Sequence, residues 1–417
     1  MANNNQEEIY STNGEVIDAP IKKEKNSKTQ EIERWLNSAY VFRLNWIKQK
    51  PEYREKISKD LKFHPIDKYK LLSIKRQLDA AGFTISKDGL MDIIFSDFSP
   101  KVNPVKDYFE NLFPWDEETD YIEELCNTVR CKNTEQWTSY LKKWLVGVVA
   151  NVFIEERCAN HTMLVLTGSQ GKFKTTWLEN LCPKTLTNYL YTGKLNLESK
   201  DSLTLIAENL FINIDDQLKQ LHKKDENELK NLITINYVKY RRPYDPIITE
   251  YPHLCSFMGS VNGNEFLNDP TGSRRFLPFE VENINIKESQ NLDIDLVWAQ
   301  AYHLFINKFR YWFIDDEIDE LNKRNNEFSM ISQEEELLNY YYSNKLPEFS
   351  NAVFKCIPPA ILLAELQQKT KQNLSPKKLG EALTKLGYVK RQMGSAKTSS
   401  WQVYQKSEFE INQQQTE

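Results

Sequence analysis

MLVLTGSQGKFKTTWLENL (Met163–Leu181) joins an apolar strand, Met163–Leu166, to Gly168, a short polar loop and a Lys-Thr pair that opens a helix. The phosphate-binding template of this shape is G-x-x-x-x-G-K-[ST]. Gly168, Lys174 and Thr175 fall on it, while Phe173 stands where the template has its second glycine. Gly171 can still supply a backbone turn, and loop amides leading into a helix start face an anion. The expected phosphate set is Gly168, Gly171, Lys172, Lys174, Thr175 and Thr176. Lys174 is expected to reach the β- and γ-phosphates of ATP, and the Thr175 hydroxyl to bind Mg²⁺. The alternative for this stretch taken alone is an incidental Gly/Lys-rich turn.

A second signal follows about forty residues later. LFINI (Leu210–Ile214) reads as a buried parallel strand that ends in Asp215-Asp216. At a strand end beside a P-loop, Asp215 is placed to hold Mg²⁺ through water and Asp216 to orient or deprotonate an attacking water. The third signal is CSFMGSVNGNEFL, an apolar strand delivering Asn262, a candidate sensor of the γ-phosphate; Asn262-Gly263 is also a common turn dipeptide. In DPTGSRRFLPFEV, Arg274 and Arg275 are candidates for an arginine finger toward a neighbouring subunit, or for structural ion pairs.

The run from His161 to Val281 resembles the virulence-associated E (VapE/VirE) family, ATPases of phages and mobile elements related to poxvirus-type primase-helicases and superfamily 3 helicases. The resembling stretches are LVLTGSQGKFKTTWLENL, FINIDD, ELKNLIT, VKYRRPYD, FMGSVNGNEFLNDPTGSRRFLPFEV and EEELL. The resemblance implies an AAA+/RecA-like α/β P-loop core that assembles into rings, hexameric by expectation, and acts on DNA. Lys174 and Thr175 match the Walker A pair, Asp215 the Walker B aspartate, Asn262 the sensor, and Arg275 or Arg274 the finger. Two departures stand out: Phe173 in the loop, and Asp216 where many relatives carry glutamate. Relatives often carry a primase domain upstream. No paired D-x-D strand motif precedes residue 150, so the chain reads as the helicase part, with priming left to a separate protein.

The surrounding sequence divides into a polar tail over 1–28, a mostly helical region over 29–155, the core over 156–330, a C-terminal module over 331–410 and a tail over 411–417. YKLLSIKRQLDAA predicts a helix ending at Gly82, whereas FRLNWIKQKPEYR fits strand–turn–strand. Between the acidic strand and the sensor, ITINYVKYRRPYDPIITEYP interleaves Lys239, Arg241 and Arg242 with tyrosines. The resemblance assigns this interval to a hairpin that grips single-stranded DNA in the ring channel. The other possibility is that these arginines serve a subunit interface or pair with Asp245 and Glu250.

The chain has 417 residues and a net charge of -5. From Lys355 to Tyr404, however, nine Lys/Arg face two Glu, leaving that end basic. There SPKKLGEALTKLG suggests a helix-turn-helix and VKRQMGSAKTSSWQVY a two-strand wing. The expectation is a winged-helix-like module whose Lys377, Lys378, Lys390, Arg391 and Lys397 touch phosphate; docking of a protein is the alternative use. The six cysteines form no C-x-x-C pair, which argues against a metal site. No signal peptide or membrane-spanning run is apparent, so the expected compartment is the cytoplasm. The expected function is an ATP-dependent DNA helicase or translocase in replication of a phage or mobile element. Its rivals are an ATPase switch or defence protein that assembles on DNA without unwinding it, and a non-catalytic DNA-binding protein with a degenerate ATP site.

Overall fold

The computed structural model describes residues 27–132, 134–241, 247–268, 272–347, 352–393, 398–407 and 410–411. The chain forms two compact units that divide between Asn111 and Leu112.

In the first unit, α1 (Lys28–Ala39) starts at a capping box between Ser27 and Gln30. It ends where the hydrophobic period changes from helical to alternating. Tyr40, Phe42 and Leu44 are buried on one side of β1 (Tyr40–Asn45), which pairs antiparallel with β2 (Lys50–Glu55). β3 (His64–Pro65) and β4 (Lys101–Val102) complete a sheet in the order β3-β2-β1-β4. The helices α2 (Lys68–Ala80), α3 (Lys87–Ile94) and α4 (Pro104–Glu110) begin at Asp67, Ser86 and Asn103 caps. Leu36, Phe42, Ile74, Leu78 and Leu90 form its core. Residues 29–155 are mostly helical but do not form one region. The first unit is built on a sheet, and residues 112–155 belong with the second.

The second unit opens with α5 (Tyr121–Asn127), β5 (Val129–Cys131) and the long α6 (Thr134–Phe153). β6 (Met163–Thr167), α7 (Lys174–Asn180), β7 (Leu190–Thr192), α8 (Lys200–Glu208), β8 (Phe211–Asp215) and α9 (Lys223–Thr234) then alternate. A hairpin of β9 (Tyr237–Tyr240) and β10 (Thr249–Pro252) precedes β11 (Ser256–Ser260) and β12 (Phe276–Ile284). The six-stranded sheet has the order β5-β12-β6-β11-β8-β7, parallel except for β5 at one edge. The adjacent strands β6 and β11 send their connections in opposite directions, to β7 at one side and over β6 to β12 at the other. That switch leaves a crevice at the carboxyl ends of the strands, where open α/β sheets bind ligands.

Both sheet faces are covered, so the parallel strands are largely apolar. On one face Met163, Val165, Ile212, Ile214 and Phe257 join a cluster with Leu229 and Ile233 of α9. On the other, tryptophans dominate: Trp137 lies 4.9 Å from Phe279, and Trp144 and Trp298 flank Phe211 at 6.1 and 5.9 Å.

α10 (Ile286–Asn291), α11 (Ile294–Ile306), α12 (Asp315–Asn325) and α13 (Gln333–Tyr341) lead to a small C-terminal cluster. There β13 (Tyr342–Ser343) and β14 (Lys355–Ile357) pair with β16 (Thr398–Gln405), which also pairs with β15 (Val389–Met393). Two helices, α14 (Pro359–Gln367) and α15 (Pro376–Lys385), lie between β14 and β15 in sequence. Ser375 caps α15 with Pro376 in its first turn. Leu338, Ile357, Leu366, Leu379, Leu383 and Val403 form the core of this part.

Candidate active site

The crevice gathers residues from three strand ends and one loop. β6 delivers Gly168, whose N–H and C=O both bond Gly263 at 3.1 Å, tying the loop to the segment after β11. Gly168 has φ +124°, and a Cβ there would lie 2.8 Å from the Val281 carbonyl, so only glycine fits. The loop turns at Gly171 (φ +80°) and again at Phe173, whose φ of 58° and ψ of 22° place a non-glycine residue in the left-handed region. That conformation is the physical reason for the template glycine at this position. Phe173 meets the demand at a steric cost, with its ring 54% exposed.

Lys174 is the first residue of α7 and is buried. Its ammonium donates to the carbonyls of Gly168 (3.0 Å) and Ser169 (2.7 Å) and to Asn262 Oδ1 (3.2 Å). Burial lowers its pKa, opposed by the charges of Asp216 and Asp215. The Asn262 amide donates to both carboxylate oxygens of Asp216, at 2.8 and 2.9 Å. Asn262 thereby bridges the lysine and the second aspartate. Asp216 itself sits at φ 50°.

The other half of the cluster is made of oxygens. Asp215 Oδ1 accepts from Thr175 Oγ1 (2.8 Å) and from Ser260 Oγ (2.5 Å), and the two hydroxyls lie 3.1 Å apart. Ser260 is the residue that sequence reasoning missed. Strand pairing sets it directly opposite Asp215 in the β11–β8 register, a neighbour relation that no local pattern announces. Two hydroxyls and one carboxylate make a hard-oxygen donor set of the kind Mg²⁺ accepts, with water and phosphate completing its shell. Lys172 and Thr176 border the loop but take part in none of these bonds.

Arg274 and Arg275 lie elsewhere. They sit in a short 3₁₀ turn (Ser273–Arg275) just before β12, at the amino end of the sheet. Phe276 pairs with Met163, so Arg275 is level with Thr162 and six residues of strand from Gly168. At ~3.3 Å per residue that is roughly 20 Å, beyond the reach of an arginine side chain. They cannot serve the loop of their own chain.

Of the expected DNA contacts, Lys239 is paired with Glu250 across the β9–β10 hairpin at 2.9 Å. Arg241 is exposed, and Arg242 lies outside the described residues. Lys377 and Lys378 are exposed in the first turn of α15, and Lys390 and Arg391 are exposed along β15. Lys390 lies 6.0 Å from the Trp401 ring centre, and Arg391 bonds Gln402 Oε1 at 3.3 Å. Lys397 lies outside the described residues.

Residues 109–330 match the virulence-associated protein E-like domain. The chain belongs to the virulence-associated protein E-like family. Within that family stretch lie α6, the whole parallel sheet and every residue of the Lys174–Asp215–Asn262 cluster. The fold of this family member is similar to the apo structure of the NrS-1 C-terminal region (305–718). The TM-score is 0.51 at 12% identity, covering 92% of this chain and 100% of that one. Two further apo structures of the same region have TM-scores of 0.48, at 12% and 14% identity, covering 92% and 90% of this chain. No curated protein matches the chain.

Proposed function

We propose that this protein is an ATP-driven DNA motor acting in replication of a phage or mobile element. The observation that carries this reading is the bonded cluster of Lys174, Thr175, Asp215, Asp216, Ser260 and Asn262 at the carboxyl end of a parallel sheet. A P-loop core of the AAA+/RecA type places its nucleotide there.

In this reading Lys174 leaves the Gly168 and Ser169 carbonyls for the β- and γ-phosphates of ATP. Its displaced partners are loop carbonyls that water can satisfy. Thr175 and Asp215, steadied by Ser260, would hold Mg²⁺, which would supply neutralisation of phosphate charge. Asp216 orients the attacking water, and Asn262 fixes that carboxylate relative to the lysine. Arg274 and Arg275, roughly 20 Å from the loop of their own chain, can reach only a neighbour's nucleotide if either is the finger, and the ring that this requires is hexameric by family expectation.

The β9–β10 hairpin, with Lys239 on β9 and Arg241 just after it, then grips single-stranded DNA. The C-terminal part has the helix–helix–hairpin order of a winged helix, and its exposed Lys377, Lys378, Lys390 and Arg391 would contact duplex phosphates. Priming falls to a separate primase. The reading places the protein in the cytoplasm; among the described residues no helix is long and apolar enough to cross a membrane.

One observation favours the second reading, a switch or defence ATPase that assembles on DNA without unwinding it. Both oxygens of Asp216 are engaged by Asn262, which leaves the carboxylate poorly placed to activate water. The deciding experiment is ATP hydrolysis with and without single-stranded DNA, beside Lys174→Ala, followed by strand displacement. DNA-stimulated turnover with unwinding, lost in the variant, supports the motor. Turnover indifferent to DNA supports the switch. Absence of turnover in the unmodified chain removes both.

A further inference from the structure

At the amino end of the sheet, opposite the P-loop, lies a cavity of about 640 Å³ that the proposed mechanism uses only in part. It is framed by the segment Arg157–Thr162 before β6, by the turn carrying Arg274 and Arg275, by Thr234 at the end of α9, and by Tyr311–Phe313 before α12. Its volume falls within the range of small-ligand sites.

The chemistry of the lining is one-sided. Arg157, Arg274, Arg275 and His161 all face the cavity, and no carboxylate is among the described lining residues. Arg275 Nε is buried without a hydrogen-bond partner, an unusual state for a guanidinium. Burial, and after it the charges of Arg275, Arg157 and Arg274, makes protonation of His161 less favourable. Clustered cations with no counter-charge are costly unless a ligand brings one. Beside them stand Tyr311 and Trp312, packed edge to face at 5.3 Å, with Trp312 54% exposed. A guanidinium fork matches phosphate oxygens, and an accessible indole offers a flat apolar surface.

We propose that this cavity is a second nucleotide site, binding a free nucleoside triphosphate through Arg157, Arg274 and Arg275, with its base against Trp312. The inference goes beyond the P-loop site and does not depend on it. The phosphate it binds has two sources, a nucleotide free in solution or one carried on the P-loop of another copy. The geometry favours the first, because Arg157, His161 and Trp312 line the cavity beside the two turn arginines, more lining than a finger alone needs.

The test is equilibrium dialysis of labelled ATP against the full-length protein and against Lys174→Ala, at a concentration where light scattering shows monomer. Two equivalents on the unmodified chain and one on Lys174→Ala are expected. The remaining site should quench Trp312 fluorescence and weaken about tenfold in Arg157→Ala. Trp312→Leu should abolish the quenching while the circular dichroism melt is unchanged. One equivalent on the unmodified chain and none on Lys174→Ala would overturn the proposal while sparing the P-loop reading. One equivalent on both, weakened by Arg157→Ala, would support this site and sink the P-loop reading instead. No binding to either chain would overturn both.

Discussion

Phe173 offers a way to read the backbone of the Gly168–Lys174 loop directly. The residue sits at φ 58°, ψ 22°, a conformation that costs an L-residue about 1–2 kcal/mol. Its ring is 54% exposed, so truncation forfeits at most about 1 kcal/mol of apolar burial. Phe173→Ala loses the ring and keeps the strain. Phe173→Gly loses the ring and removes the strain, but adds about 0.5–1 kcal/mol of unfolded-state entropy. Glycine should therefore be more stable than alanine here by about 1 kcal/mol, reversing their usual order in regular structure. In a calorimetric scan of the full chain this separates the two variants by roughly 2 °C in the transition of the larger unit. The glycine variant should also bind ATP at least as tightly as the unmodified chain. An alanine variant as stable as the glycine variant would refute the assignment of strain to this loop.

Three further outcomes follow from other parts of the site and core. Asn262→Ala releases Asp216 and one bond of Lys174; nucleotide affinity should change a few-fold while turnover falls at least about a hundredfold, read by steady-state kinetics against equilibrium binding. His253 is fully buried between the carbonyls of Ile235 (2.7 Å) and Cys255 (2.9 Å), and burial holds its pKa down to about 4. The unfolded chain takes up this proton near pH ~6.5, so the stabilisation is complete above that pH. It is lost as pH falls toward the folded value, on the order of 3 kcal/mol in all. Urea titrations at pH 7 and 4.5 should show this loss shrink in His253→Gln. Finally, Lys230 and Glu226 form a buried ion pair at 2.8 Å, and Glu226 also accepts from the backbone N–H of Asn268 at 2.6 Å. Lys230→Met should destabilise by about 3 kcal/mol because it strands a buried carboxylate, and adding Glu226→Gln should restore part of that in thermal melts.

Much of the site could be read from the chain. The strand–loop–helix at Met163–Leu181, the acid pair closing the apolar strand before Asp215, and Asn262 at the end of the next core strand are local patterns. Each is fixed by side-chain period and by residues a few positions apart, which is the range over which sequence reports geometry. The Ser375-Pro376 start of α15 and the end of α2 before Gly82 were legible for the same reason.

Other features came only with tertiary structure. The strand–turn–strand over Phe42–Arg54 was legible, but its extension by β3 and β4 into a four-stranded sheet was not, because those two-residue strands carry no periodic signal. Ser260 became a member of the site because parallel pairing sets it beside Asp215 across 45 residues of chain. The same sheet order carries Arg274 and Arg275 to the end opposite Lys174, although the sequence places them only a dozen or so residues after Asn262, the residue that contacts it. Sequence therefore determined which chemical groups stand at which strand end. The order in which the strands assemble decided which of those groups meet, because strand order is set by contacts between segments whose separation along the chain carries no periodic signal.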